Sequence, residues 1–146
     1  MKLVIDANEF FAAFIKKSKS REILNHSFFE FFAPVEFLEE IEKYKEFLIE
    51  KTRIQPGEFT HIQQDLMKNI HLVSLSKYND EFLQARDIMK DIDVKDAPFI
   101  AIALALDLDG IWADDKHFSR QAKVNIYSTK DLIELVEKTL DGKKDS

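Results

Sequence analysis

The chain has 146 residues and a formal net charge of −6, and its balance of 45% hydrophobic and 33% charged residues is typical of one globular domain. It contains no cysteine, which excludes disulfide bonds, thiol catalysis and cysteine-rich zinc sites and favours a reducing, cytoplasmic location. The acidic balance counts against a protein that grips nucleic acid through a basic face, but it leaves open an enzyme that binds nucleic acid through divalent cations.

The sequence shows no sign of membrane association. No apolar run approaches the ~20 residues that a membrane helix needs. Asp6 and Glu9 interrupt the first apolar stretch, where a signal peptide would need an uncharged core. We therefore expect a protein that does not enter the membrane.

Strands and helices are predicted to alternate along the first half of the chain. A β-branched and apolar run before Asp6 predicts a buried strand, and the spacing of the phenylalanines after it predicts a helix. Pro34 suits the first turn of a long helix. The predicted elements are a strand over 2–5, a helix through 10–15, a short helix over 21–25, a strand over 28–33, a helix from 34 to about 51 and another after 57.

The second half continues the alternation. Its most apolar segment, residues 99–108, predicts a helix that is buried on most sides. Ser128 and Asp131 have the spacing of a capping box at the start of the last helix. The predicted elements are a strand over 70–75, a helix through 82–89, the helix over 99–108, a strand over 111–113, a strand over 124–127 and a final helix after 128.

This alternation predicts the α/β class, with a mainly parallel central sheet and helices on both faces. The sequence contains no internal repeat and no low-complexity tract. We expect a single domain over residues 1–140 and a frayed C-terminal tail over residues 141–146.

Several carboxylates are predicted to meet at one edge of the sheet. Asp6 ends the first strand, and Asp114 and Asp115 follow the strand that precedes them. Asp96 lies at the start of a helix, and Glu40 lies inside a helix on the side that the apolar residues mark as inward. Each acid alone fits a turn, a cap or a solvated surface. Together they would repel one another unless a cation neutralised them.

An all-oxygen cluster favours Mg²⁺ or Mn²⁺, because zinc prefers histidine and cysteine. The four histidines show no ligand spacing, and His26, His61 and His71 are interpreted as structural.

Four segments resemble the motifs of the PIN-domain nucleases, in the order in which that family has them. They are V-I-D-A-N at residues 4–8, A-P-V-E-F-L-E-E-I at 33–41, D-V-K-D-A-P-F-I-A-I-A at 93–103 and I-W-A-D-D-K-H-F at 111–118. The resemblance covers residues 1 to about 136 and extends to the VapC-type toxins, although the long helical middle is closer to an uncharacterised prokaryotic branch. It implies a three-layer α/β/α fold and an endoribonuclease that depends on Mg²⁺ or Mn²⁺.

The resemblance also assigns roles to individual residues. It implies that four acids bind the metal and carry catalysis, namely Asp6, Glu40, Asp96 and Asp115. Asn8 matches a polar residue that steadies Asp6, and Asp93 and Asp114 are auxiliary candidates, either as outer acceptors or through water. Ala113 departs from the pattern, because the family often has threonine or serine there.

The expected substrate is single-stranded or looped RNA, since a small acidic domain has little means of gripping a duplex. In the toxin branch the partner would be a small antitoxin protein, and related domains commonly form homodimers. Two other functions stay open. One is a PIN-like binding module that does not cut, and the other is an aspartate-dependent phosphatase, which would want a second aspartate where Asn8 stands.

Overall fold

A computed structural model of the protein describes residues 1–139 in full and, for residues 140–145, only the continuation of the last helix. Ser146 lies outside the described residues. The predicted frayed tail, residues 141–146, falls on this part of the chain and stays a prediction.

Five strands form one sheet in which every pairing is parallel, in the order β3-β2-β1-β4-β5. The strands are β1 (Lys2–Ile5), β2 (Glu30–Pro34), β3 (Ile70–Val73), β4 (Gly110–Trp112) and β5 (Ile126–Tyr127). The first strand lies at the centre, and its Val4 pairs with Phe32 of β2 on one side and Ile111 of β4 on the other.

Helices cover both faces of the sheet. They are α1 (Ala7–Ala12), α2 (Lys19–Leu24), α3 (Phe37–Thr52), α4 (Pro56–Met67), α5 (Asn79–Met89), α6 (Ala97–Ala105) and α7 (Thr129–Asp145). Successive side chains of a strand point to opposite faces, and β1 shows this directly. Leu3 and Ile5 belong to the core under α1, α2, α3, α4 and α7, whereas Val4 belongs to the core under α5 and α6. The predicted three-layer α/β/α class is therefore confirmed.

One predicted helix start is wrong. Pro34 is the last residue of β2, and α3 begins only at Phe37. Pairing between β1 and β2 ends at Phe32, so the missing N–H of Pro34 leaves no gap in that ladder. The N–H of Val35 then donates to the carbonyl oxygen of Val73 in the edge strand (3.1 Å).

Other boundaries shift by a few residues. The strand predicted to reach residue 75 ends at Val73, where a single 3₁₀ turn follows, and β5 begins at Ile126 rather than at 124. Helix α1 ends at Ala12, which leaves Ile15 half exposed. Within the described part of the chain, no helix combines the length and the apolar character needed to cross a bilayer.

Candidate active site

The order of the strands creates a crevice between β1 and β4. The chain adds β2 and β3 on one side of β1 and then returns to place β4 on the other side. At such a switch point the loops that leave the two strands diverge, and ligands of parallel sheets bind there. Asp6 follows β1, and Asp114 and Asp115 follow β4. The backbone N–H of Asp6 donates to the carbonyl oxygen of Trp112 (3.1 Å), which ties the two strand ends together.

A cavity of about 580 Å³ opens at these strand ends. Lys95 and His117 supply basic groups to its wall. Its acidic lining residues are Asp6, Glu36, Glu39, Glu40, Asp93, Asp96 and Asp115. The structure thus brings the four acids of the predicted metal site into one cavity, together with two of the three auxiliary residues, Asn8 and Asp93. The third, Asp114, does not line it.

Asp6 is one of three buried polar residues among the described residues, with 6% of its surface exposed. Burial raises the pKa of Asp6, and the charges of Asp115 and Asp114 raise it further, whereas a hydrogen bond with Glu9 lowers it. Its Oδ2 atom is buried and has no hydrogen-bond partner among the described residues. A buried carboxylate oxygen without a donor is costly, so this atom requires a proton or a cation.

Glu9 lies one helical turn after Asp6 and is equally buried (5% exposed). Its Oε1 atom accepts a hydrogen bond from the backbone N–H of Asp114 (3.3 Å), and its Oε2 atom has no partner among the described residues. Burial, the charge of Asp6 and the hydrogen bond with Asp6 raise the pKa of Glu9 to about 9. Burial of this pair therefore favours its protonated form in the metal-free protein.

Asp96 lies at the N-terminal end of α6, but its side chain makes no capping hydrogen bond. Asp93 caps the 3₁₀ turn that precedes α6 (Val94–Asp96), because its carboxylate accepts the backbone N–H of Lys95 (3.1 Å). The pKa of Asp96 is raised to about 7, first by burial and then by the charges of Asp93, Asp6 and Asp115, whereas His117 lowers it. Asp96 thus faces the other acids rather than its own helix.

Asp115 and His117 line the same cavity and contact each other. The Oδ1 atom of Asp115 accepts the backbone N–H of His117 (2.8 Å) and lies 3.5 Å from the Nδ1 atom of its ring. A ring nitrogen of His117 and one oxygen each of Asp93 and Asp96 lie within 4.8 Å of one another, a spacing that could hold a metal ion.

Glu40 lines the cavity but is exposed, whereas the sequence placed it within a buried stripe. The buried positions of α3 are Phe37, Ile41 and Leu48. Tyr44 has the helical spacing of these positions, yet it is 46% exposed and packs its ring against Phe11 at the cavity wall (centroids 5.1 Å apart). Glu40 and Tyr44 are exposed because this face of α3 borders the cavity rather than the core.

Asp114 is held away from the cavity by Thr129. Its Oδ1 atom accepts the backbone N–H of Thr129 and its Oδ2 atom accepts the Thr129 hydroxyl, both at 2.7 Å. Ala113 is buried and faces the core under α6.

The sequence model of the PIN domain family matches residues 4–136. The chain is a PIN domain. None of the curated proteins compared with this PIN domain is similar enough to count as a relative. PIN domains are generally nucleases, and the acid cluster of this one includes a group that could bind a metal ion.

Three residues in or near the cavity of this PIN domain were not predicted from the sequence as site residues. Glu9 could have been found as an acid in an apolar segment three residues after Asp6, although that spacing also suits a capping box. Glu36 lines the cavity beside Tyr78, whose pKa is raised by burial and then by the charge of Glu36. His117 follows Asp115 by two residues, and no sequence spacing marks it as a ligand. Asn8 lines the cavity, and its role as a support for Asp6 stays a prediction.

The donor set of this PIN domain fits a divalent cation. The partnerless oxygen of Asp6 needs a positive neighbour, and the carboxylates that raise the pKa of Asp6 and Asp96 repel each other at neutral pH. Oxygen ligands of this kind suit Mg²⁺ and Mn²⁺, and Mn²⁺ also accepts an imidazole nitrogen such as that of His117.

Proposed function

We propose that this PIN domain is a ribonuclease that depends on Mg²⁺ or Mn²⁺ and hydrolyses phosphodiester bonds of single-stranded or looped RNA. The observation that carries the proposal is the buried Asp6 Oδ2 atom, which receives no hydrogen bond from an N–H or hydroxyl group of the described residues and belongs to a residue whose cavity is lined by six other acids. A site built only to support the fold would have paired this oxygen.

In the proposed site, Asp6 and Asp96 are the inner ligands, and Glu40 and Asp115 complete or orient the shell. A divalent cation held by these residues would supply Lewis acidity, which would lower the pKa of a water molecule and offset the charge that develops on the phosphate. Lys95 also lines the cavity, and its ammonium group would contact a flanking phosphate of the RNA.

The cavity wall favours a single strand over a duplex. Phe11 and Tyr44 present a pair of rings at the cavity, and nearly half of the Tyr44 side chain is exposed. Unpaired bases stack on such rings, whereas the bases of a duplex are already stacked on one another. The net charge of −6 also argues against a long phosphate-binding surface.

The test is cleavage of a single-stranded RNA by the purified protein with millimolar Mn²⁺ or Mg²⁺. We expect cleavage that EDTA abolishes and that Asp6→Asn or Asp96→Asn lowers by more than about 10²-fold, since each removes a ligand charge and keeps the shape. Asp65→Asn is the matched control, because Asp65 is an exposed residue of α4 that pairs with Lys68.

Equal cleavage rates in the wild type, the two site variants and the control would mean that a contaminating nuclease cuts the RNA. Tight metal binding without cleavage of any RNA would favour a binding module that does not cut. Faster cleavage of a DNA strand than of the matched RNA would overturn the assignment of the substrate.

A toxin role is a narrower form of the proposal and requires a small antitoxin that covers this cavity. Expression of the protein inside cells without the antitoxin should then arrest their growth, and the Asp6→Asn variant should not arrest it. A homodimer is a separate prediction, which sedimentation of the purified protein tests.

A further inference from the structure

The loop that carries Asp115 is tied to the rest of the protein by a chain of hydrogen bonds. The indole N–H of Trp112 donates to the Thr129 hydroxyl oxygen (3.0 Å), and that hydroxyl donates to Asp114 Oδ2 (2.7 Å). The backbone N–H of Thr129 donates to the other oxygen of Asp114 (2.7 Å). The backbone N–H of Asp114 then donates to Glu9, one helical turn after Asp6.

Capping of α7 does not account for the Thr129 hydroxyl. Ser128 and Asp131 already form a reciprocal capping box, in which the Ser128 N–H donates to Asp131 Oδ2 (2.9 Å) and the Asp131 N–H donates to Ser128 Oγ (3.1 Å). The first N–H of the helix, that of Thr129, is satisfied by Asp114. The hydroxyl adds a bond that the helix end does not need.

This extra bond immobilises Asp114 at both carboxylate oxygens. The neighbouring Ala113 is fixed by its N–H, which donates to the carbonyl oxygen of Tyr127 (3.0 Å). Asp115 is the next residue, and its carboxylate lines the cavity. The hydrogen-bond chain therefore joins the end of β4 to the start of α1, the two elements that bring Asp115 and Asp6 together.

We propose that Thr129 is a positioning residue of the acid cluster, which acts through Asp114 to hold the Asp115 carboxylate beside Asp6. Thr129 does not line the cavity, so it contacts neither the cation nor the RNA. The inference rests on the proposed metal-dependent function.

The test compares Thr129→Val, which keeps the shape and removes the hydroxyl, with Thr129→Ser, which restores it. Calorimetric titration with Mg²⁺ at a temperature where every protein is folded should give an affinity about 10–100-fold weaker for the valine variant, the usual loss when a support of a metal ligand is removed. The serine variant should bind nearly as tightly as the wild type. At saturating Mg²⁺ the KM for RNA should stay unchanged, because the hydroxyl lies away from the cavity.

Two further measurements separate positioning from general stability. Thr139→Val is the matched control, since its hydroxyl bonds to the Leu135 carbonyl oxygen in the same helix, further along α7. Trp112 is the only tryptophan of the chain, so the emission of the valine variant should shift to shorter wavelength as the indole loses its acceptor. Should the valine variant fail to fold, Asp114→Asn tests the same link and should also weaken Mg²⁺ binding.

The outcomes are distinguishable. If wild type binds Mg²⁺ and Thr129→Val binds it equally well, the hydroxyl supports only the fold and the inference is wrong, while the proposed function stands. If Thr139→Val weakens binding as much, the effect is general to α7 and the inference is again wrong. If wild type binds neither Mg²⁺ nor Mn²⁺, the proposed function fails, and the inference fails with it.

Discussion

Asp6 and Glu9 lie one helical turn apart at the start of α1, and each has a buried carboxylate oxygen that receives no hydrogen bond from an N–H or hydroxyl group of the described residues. Their hydrogen bond raises the pKa of Glu9 and lowers that of Asp6, although burial raises both. The two carboxyls therefore titrate as a coupled pair, and burial favours the protonated form of both in the metal-free protein. A divalent cation bound at Asp6 would favour the ionised form of the pair and displace its protons.

The stability of the metal-free protein should fall as the pH rises from 5 to 8. The pKa of Glu9 is raised from 4.5 to about 9, and that of Asp96 from 3.8 to about 7. A carboxyl whose pKa is raised by folding stabilises the protein fully below its unfolded value, and this contribution is lost as the pH rises through the folded value. Melting in EDTA should therefore show a lower Tm at pH 8 than at pH 5.

Glu9→Gln should flatten this dependence, because the amide cannot ionise. Glu22→Gln is the control, since Glu22 is an exposed partner of Lys19. A slope of Tm against pH that is the same in Glu9→Gln and in wild type would show that Glu9 does not carry the effect.

Millimolar Mn²⁺ should raise the Tm at pH 7.5. A ligand that binds only the folded state stabilises it by about 2.7 kcal/mol at a hundred times its Kd. The increase should be much smaller in Asp6→Asn, which loses the buried charge, and unchanged in Asp65→Asn. Equal increases in all three proteins would mean that Mn²⁺ binds elsewhere on the acidic surface.

Among the three glutamates of the cavity, Glu40 should matter most for cleavage. Glu36, Glu40 and Tyr44 are spaced four residues apart and share one helix face, whereas Glu39 lies about 100° away from Glu40. Glu36 lies beside the hydroxyl of Tyr78. Glu40→Gln should thus abolish cleavage, and Glu39→Gln should leave it nearly intact.

Both variants should stay folded, because the two side chains are exposed. The cleavage rate and the Mn²⁺ affinity of both variants together decide which glutamate is the metal ligand. If Glu39→Gln lost both cleavage and Mn²⁺ affinity while Glu40→Gln stayed active, Glu39 rather than Glu40 would be the metal ligand.

Gly110→Ala should destabilise the fold by about 1–3 kcal/mol, the usual cost of an overpacked core position. A Cβ at this position would overlap the carbonyl oxygen of Asn125 and lie 2.8 Å from the ring of Tyr127. The overlap falls where β4 pairs with β5. Gly57→Ala is the control, because a Cβ there meets nothing within 4 Å and the helix gains about 0.5–1 kcal/mol. Urea unfolding measures the free energy of unfolding of both variants. Equal values for Gly110→Ala and Gly57→Ala would contradict the close contact of Gly110 with Asn125 and Tyr127.

The alternation of strands and helices and the positions of Asp6, Asp96 and Asp115 could be predicted from the sequence. These features depend on local patterns, namely apolar runs that end at an acid and apolar residues at helical spacing. The carboxyl ends of parallel strands meet at one edge, so acids that follow β1 and β4 converge whatever the details of packing.

The tertiary structure alone decided what each acid contacts. Glu9 becomes a buried partner of Asp6 because α1 packs this face against the loop that follows β4. Asp114 turns from the cavity because β4 and β5 are neighbours, which brings Thr129 within 2.7 Å across 15 residues of chain. Tyr44 fits the buried stripe by spacing, yet the cavity leaves it exposed. Helical spacing sets which residues share a face, but only the assembled sheet determines whether that face meets the core, the solvent or the site.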